Sequence, residues 1–318
     1  MANEQTQNGS LSIIALESGI EYHDIDNIPD EPLFIHMIGI RPYDLGRISQ
    51  KFEIDLEDLQ DLQDPDERPR LQIEDKFTML VLRVPMNLEI GGREYSTQPI
   101  GLFTNGRDIV LLQNEEIPLR KQRLKRKLKQ CTTPSTIIYN VWEQVIHSFE
   151  HTLDMIEATI NSVEDSIMSE LYPSEMELFF QLSRDAVFME AALKANMRVL
   201  RRLKRVHSVG RMILDEDRLD ELRVDLAQQM ELSAIYRDLI ENAMNAYDSI
   251  VNHNLNRVMK TLTSVSLLVS VPTLVASIYG MNVNLPFQNQ NEAFIMIILI
   301  SLAITIPLLI FLRSKNLV

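Results

Sequence analysis

The sequence predicts an α+β cytoplasmic region joined by a long stalk helix to a two-helix transmembrane hairpin at the C-terminus. Three observations carry this. Eight of the ten glycines fall within residues 1–106, among short β-like runs. From about Pro118 the pattern turns helical, and between Glu216 and Val271 neither Gly nor Pro occurs. Thr261–Asn291 and Ala293–Leu312 contain no charged side chain, although the chain carries 31 Lys and Arg and 45 Asp and Glu.

The first region, residues 1–117, alternates the β-like runs "LSIIAL", "LFIHMIGI", "FTMLVLRVPM" and "DIVLLQ" with an acidic helical stretch, "PYDLGRISQKFEIDLEDLQDL". This is the pattern of an α/β layer structure. "EIGGREYS" offers a hairpin turn at Gly91–Gly92. Residues 118–213 read as helices interrupted at Pro134, Pro173 and Gly210. Residues 214–260 read as the stalk. An unbroken helix from about Asp215 to Tyr279 would be roughly 95 Å long at 1.5 Å per residue.

Composition narrows the function. A net charge of −14 argues against a nucleic-acid binder, which needs basic surface for phosphates. The basic run Leu119–Gln130, "LRKQRLKRKLKQ", has leucines at Leu119, Leu124 and Leu128, a buried stripe with a solvated basic face. One cysteine, Cys131, excludes an intrachain disulfide framework and suits a reducing compartment. The N-terminus lacks a basic segment followed by an apolar core, so no signal peptide is expected. No enzyme is indicated, since there is neither a Walker loop nor a GxGxxG after a strand. His147 and His151 sit four apart, but "HSFEH" lacks the order of a zinc-binding helix and reads as a surface pair.

Ala293–Leu312 is about 30 Å of charge-free helix, enough to cross a bilayer core. Residues 261–279 form a similar run that is richer in hydroxyls, and residues 280–292 link the two. Arg257 and Lys260 precede the first span, while Arg313 and Lys315 lie in the tail of residues 313–318. The positive-inside rule then puts both termini in the cytoplasm and the link outside, as in a multi-pass cell-membrane protein. In the first span, Ser266, Ser270, Thr273 and Ser277 share one helix face. The same steps lead inward to Leu262, Met259 and Asn256. Such a stripe suits either close helix packing or a water-filled pore. A pore requires several copies, because one hairpin encloses nothing.

"YGMN" after an apolar span, with a second span and a short basic tail, resembles the CorA family of magnesium transport proteins. "YDSIVNHNLNRVMKTLT" (Tyr247–Thr263) is similar to that family's stalk-to-membrane segment, and "FEIDLEDLQDLQDPDERPRLQ" to part of its soluble domain. The resemblance implies a funnel-shaped homopentamer whose first spans, through Asn256, Met259, Leu262, Ser266, Ser270, Thr273 and Ser277, line a pore. It implies a selectivity filter at Gly280, Met281 and Asn282. It also implies potential-driven Mg²⁺ uptake, with Co²⁺ or Ni²⁺ as further cargo, closed by cytoplasmic Mg²⁺ bound between neighbouring soluble domains. Mg²⁺ is cargo and regulator, and no cofactor is implied. By position, the regulatory ligands fall at Asp61 and Glu221. The family's usual Asp is a Glu at the second place, with Asp217, Asp220 and Asp225 nearby as substitutes. Zinc or other transition-metal transport by the same fold, or a non-conducting metal sensor, are the rival readings.

Overall fold

The computed structural model describes residues 10–39, 42–88, 94–114, 133–169, 173–206, 208–209, 212–283, 286, 293–315 and 317. Both the Gly91–Gly92 turn and the basic run Leu119–Gln130 lie outside them. Two compact units divide the chain, Met1–Asn242 and Ala243–Val318. The first unit therefore includes the opening half of the segment read as stalk.

In chain order the first unit holds β1 (Ser10–Ala15), β2 (Glu21–Tyr22), β3 (Leu33–Ile38), α1 (Pro42–Phe52), α2 (Leu56–Asp61), β4 (Arg70–Ile73), β5 (Thr78–Leu88), β6 (Glu94–Thr104) and β7 (Ile109–Gln113). Then come α3 (Pro134–Ser169), α4 (Pro173–Val206), the small ribbon β8 (Ser208–Val209) and β9 (Met212–Ile213), and α5 (Glu216–Tyr279). The strands form one sheet in the order β2-β1-β3-β7-β6-β5-β4, parallel only where β3 meets β7. Alternate residues bury opposite faces, as the period of two requires. Ile35, Met79, Val81 and Phe103 join α1 and α2 in one core cluster with Leu45, Ile48, Leu59 and Leu62. The other face is covered by α3 and α4, which contact β5, while α4 also meets β4 and β6.

Three features depart from the sequence reading. The stretch read as one acidic helix is two, α1 and α2. The break is at Glu53, whose φ of 55° is left-handed. Ile54 N–H bonds back to Ser49 O at 3.2 Å, and Ser49 Oγ donates to Ile54 O at 2.8 Å. This is a Schellman-type end, with buried Ile54 as its hydrophobic contact. Burying Ile54 outweighs the roughly 1 kcal/mol that a non-glycine residue costs in that conformation. The second departure is the β8–β9 ribbon, which stands where the sequence reading placed only an interruption between helices. The third is β6, the long partner of β5, which the β-like runs did not include. Gly101 of β6 is needed for close approach, because a Cβ there would lie 2.1 Å from Leu62 Cδ1.

In the first unit, α5 buries Leu219, Leu222, Leu226, Gln229, Ser233, Tyr236 and Ile240. Their alternating steps of three and four make a single packed seam. It is tied at its far end. Tyr236 Oη donates to Glu157 of α3 at 2.9 Å, and Arg237 Nη1 bonds Glu190 of α4 at 2.5 Å. Burial and the adjacent Glu157 push the Tyr236 phenol up to about 12. The second unit holds the remainder of α5 and α6 (Ala293–Ser314). Both helices are long and apolar enough to cross a membrane.

Candidate functional site

In the second unit, α5 has one protected face and one free face. Ser264 and Val275 are buried, with Leu268, Val271 and Tyr279 half-buried at helical spacing between and beyond them. Ser264 Oγ donates to Leu317 O at 3.0 Å, just past α6, so this face meets the chain's C-terminal segment. On α6 the least exposed residues are Met296, Ile297, Ser301, Thr305, Leu308 and Leu312, again along one side. The hydroxyl stripe is elsewhere. Ser266, Ser270, Thr273 and Ser277 each follow a protected position by two residues, about 200° around the axis. All four are exposed, as are Asn256, Met259 and Leu262, the last two at 58% and 59%.

The stripe is therefore not glue between the two apolar helices of one copy. Ser270 Oγ donates to Ser266 O at 2.7 Å and Thr273 Oγ1 to Val269 O at 2.9 Å. Spending the proton on the helix backbone leaves the hydroxyl oxygens as outward acceptors. Acceptors suit a cation or the water around it. Below them, Met259 and Leu262 place two apolar side chains on the same line.

At the top of the stripe α5 ends at Tyr279. Gly280 N–H reaches Ala276 O at 3.0 Å and Ser277 O at 3.2 Å, and Met281 N–H reaches Ile278 O at 3.2 Å. Gly280 does not need a glycine's conformational freedom, and a Cβ there would meet those two carbonyls at an ordinary 3.5 Å. Among the described residues nothing demands the missing side chain. Met281 and Asn282 are exposed, and the Asn282 amide has no hydrogen-bond partner among the described residues.

In the first unit, Asp61 closes α2 and accepts a hydrogen bond from Arg70 Nη2 at 2.8 Å. Arg70 also pairs with Glu67 and lies 3.9 Å from Asp58. Asp58, Asp61 and Arg70 line a cleft of about 870 Å³ whose carboxylates are Glu53, Asp55, Glu57, Asp58, Asp61, Glu74 and Asp75. Burial pushes the Asp58 carboxyl above the usual range, despite Gln72 and Arg70 beside it. Glu221 does not line this cleft. It is exposed on α5, next to Asp220, which Lys204 holds at 2.6 and 2.7 Å. Those bonds, with Arg223, keep Asp220 below the usual carboxylate range. Asp220 is thus already engaged, while Asp217 and Asp225 are exposed. Among the described residues, no three His, Cys, Asp or Glu side chains of one copy group to hold a metal. His147 bonds Glu150 at 2.6 Å, within its own helix turn.

One feature was overlooked in the sequence. Arg201, Lys204 and Arg205 at the end of α4, with Glu216 at the start of α5, line a groove of about 520 Å³. Its signal was legible as "RVLRRLKRV", four arginines within eight residues.

Residues 30–314 match the family described as CorA-like Mg²⁺ transporter protein. The cobalt/magnesium transport protein CorA of Methanocaldococcus jannaschii is 25% identical over 316 residues, 95% of this chain and 97% of that one. The protein of the same name from Thermotoga maritima is 22% identical over 299 residues, covering 90% and 83%. In fold, the chain is similar to the complete structure of the CorA magnesium transporter from Methanocaldococcus jannaschii. The TM-score is 0.84 at 23% identity, covering 97% of this chain and 99% of that one. With its match extending from the soluble unit through both apolar helices, this chain belongs to the CorA-like Mg²⁺ transporter family.

Proposed function

We propose that five copies of the chain enclose a pore along the free face of α5, and that Mg²⁺ enters the cell through it down the membrane potential. The observation that carries this is the exposed stripe from Asn256 to Ser277, turned away from the protected face and ending at Gly280–Asn282. The outward hydroxyl oxygens of that stripe are met neither by lipid, which has no donor, nor by α6. Copies meeting on an axis would give it water and ions.

The two apolar helices form a transmembrane hairpin in this reading. Arg257, Lys260, Arg313 and Lys315 hold both termini on the cytoplasmic side. Asn282 then stands at the outer mouth, and the small Gly280 lets neighbouring copies approach there. Mg²⁺ gives up its water reluctantly and prefers oxygen ligands in an octahedron. A ring of neutral amides and carbonyls binds that hydrated ion without trapping it. Met259 and Leu262 serve as the apolar constriction, which blocks ions by dewetting. The driving force is about 4.6 kcal/mol per 100 mV for a divalent ion, at about 2.3 per charge. So large a force requires a gate. Asp61 of one copy and Glu221 of the next would hold cytoplasmic Mg²⁺ across their boundary and favour the closed ring, with oxygen donors of the kind that ion prefers.

Uptake of isotopic Mg²⁺ into vesicles reconstituted with the full chain tests the reading. Uptake that rises with an interior-negative potential is expected. Zinc uptake without Mg²⁺ uptake would overturn the choice of ion, and no flux of either would overturn conduction.

A further inference from the structure

The corner where α4 ends and α5 begins carries unspent positive charge. Arg198, Arg201, Arg202 and Arg205 are exposed, and none has an ion-pair partner among the described residues. Lys204 is fixed by Asp220, which makes one wall of the groove rigid. Cations in a helix's last turn complement its dipole. That accounts for Lys204 and Arg205 but not for Arg198 and Arg201, a turn or more earlier. In a chain of net charge −14, four adjacent guanidinium groups with no ion-pair partner among the described residues call for an anionic one.

The same unit carries the opposite surface. Seven carboxylates line the cleft beside α2, against only Arg70 and Lys76. Asp55 and Glu57 are exposed and have no ion-pair partner among the described residues. Among the described residues neither surface is neutralised within one copy, and the two share no lining residue. A closed ring of identical copies with five-fold symmetry must use two different patches at every boundary, one from each neighbour.

We propose that the cationic groove of Arg201, Lys204 and Arg205 receives the carboxylate-lined cleft of a neighbouring copy, joining the soluble units of the ring. This rests on the homopentamer reading above and deepens it. Arginine suits the task, because its planar fork bonds a carboxylate through two parallel hydrogen bonds. Glu221 follows Asp220, which Lys204 of the groove holds, and Asp61 lies in the cleft. Regulatory Mg²⁺ would then enter a boundary that already attracts, rather than one that only repels.

Zero-length carbodiimide coupling, which joins carboxylates to amines, tests the contact on the full chain in detergent. Arg201→Lys with Arg205→Lys supplies the amines at exposed positions, since Lys204 is already held by Asp220 of its own copy. Peptides linking residues 201–205 to Asp55–Asp61 or Glu74–Asp75 are expected in the multimer bands of a denaturing gel and not in the monomer band. Their yield should fall several-fold in high salt, since exposed charges are screened. Multimer bands coupled only through other segments would overturn the contact while leaving the ring intact. A single-chain mass by light scattering would overturn both. Tripolyphosphate binding to the groove by calorimetry, without the cross-link, would assign the groove to small polyanions and overturn the proposal.

Discussion

Asn196 is expected to hold α4 on the sheet, and its removal should be among the most damaging single changes in the soluble unit. It is 0% exposed. Its Nδ2 donates to Arg83 O at 2.8 Å, and Arg83 N–H donates to its Oδ1 at 2.9 Å. The reason lies in the ladder. β4 pairs with β5 only as far as Arg70↔Val81, so Arg83 is beyond its reach. The side-chain amide stands in for the missing strand residue. Asn196→Ala would leave two backbone groups without partners, at about 1–3 kcal/mol each when buried. Arg83 is only half-buried, so the lower part of that range applies, about 3 kcal/mol in all. For a unit of this size that is a fall in Tm of about 6–12 °C. Trp142, the only tryptophan, is 1% exposed on α3 and reports this unit alone in a fluorescence melt of the full chain. Asn196→Asp keeps the acceptor but loses the donor and buries a charge, so it should melt no higher than the alanine variant. A shift below about 2 °C for Asn196→Ala would refute the reasoning.

Three functional predictions follow from the proposed pore. Asn282→Ala should abolish Mg²⁺ uptake while leaving the oligomer's mass unchanged by light scattering; wild-type flux would remove Asn282 from the filter. Leu262→Ser or Leu262→Gly should raise basal conductance at high internal Mg²⁺, read as current across a planar bilayer, because an apolar ring no longer dewets. If both stay shut, the constriction lies elsewhere. Asp61→Asn with Glu221→Gln should move the inhibition of uptake to higher internal Mg²⁺. Even about 1 kcal/mol per boundary gives about 5 over a ring of five, enough to move a two-state gate almost completely. An unshifted curve would exclude these two residues as the sensor.

By itself the sequence determined the membrane-length segments, the GMN triplet between them and the family. These are legible because the bilayer acts on contiguous stretches: every backbone group in lipid must be bonded within its own segment, and side chains there must be apolar. Charge-free runs and their flanking cations record that demand without reference to distant residues. The tertiary structure alone decided which side of α5 is free. Ser264 and Ser266 are alike as residues, yet one bonds Leu317 and the other stands exposed, because partners rather than residue type set burial. Glu53 broke a helix that its neighbours' pattern continued, since Ile54 had a core to enter. Asn196 and Arg83 are 113 positions apart, and no local pattern announces their pairing. A buried polar group must find a partner wherever the chain brings one, and that choice is made only when the layers close.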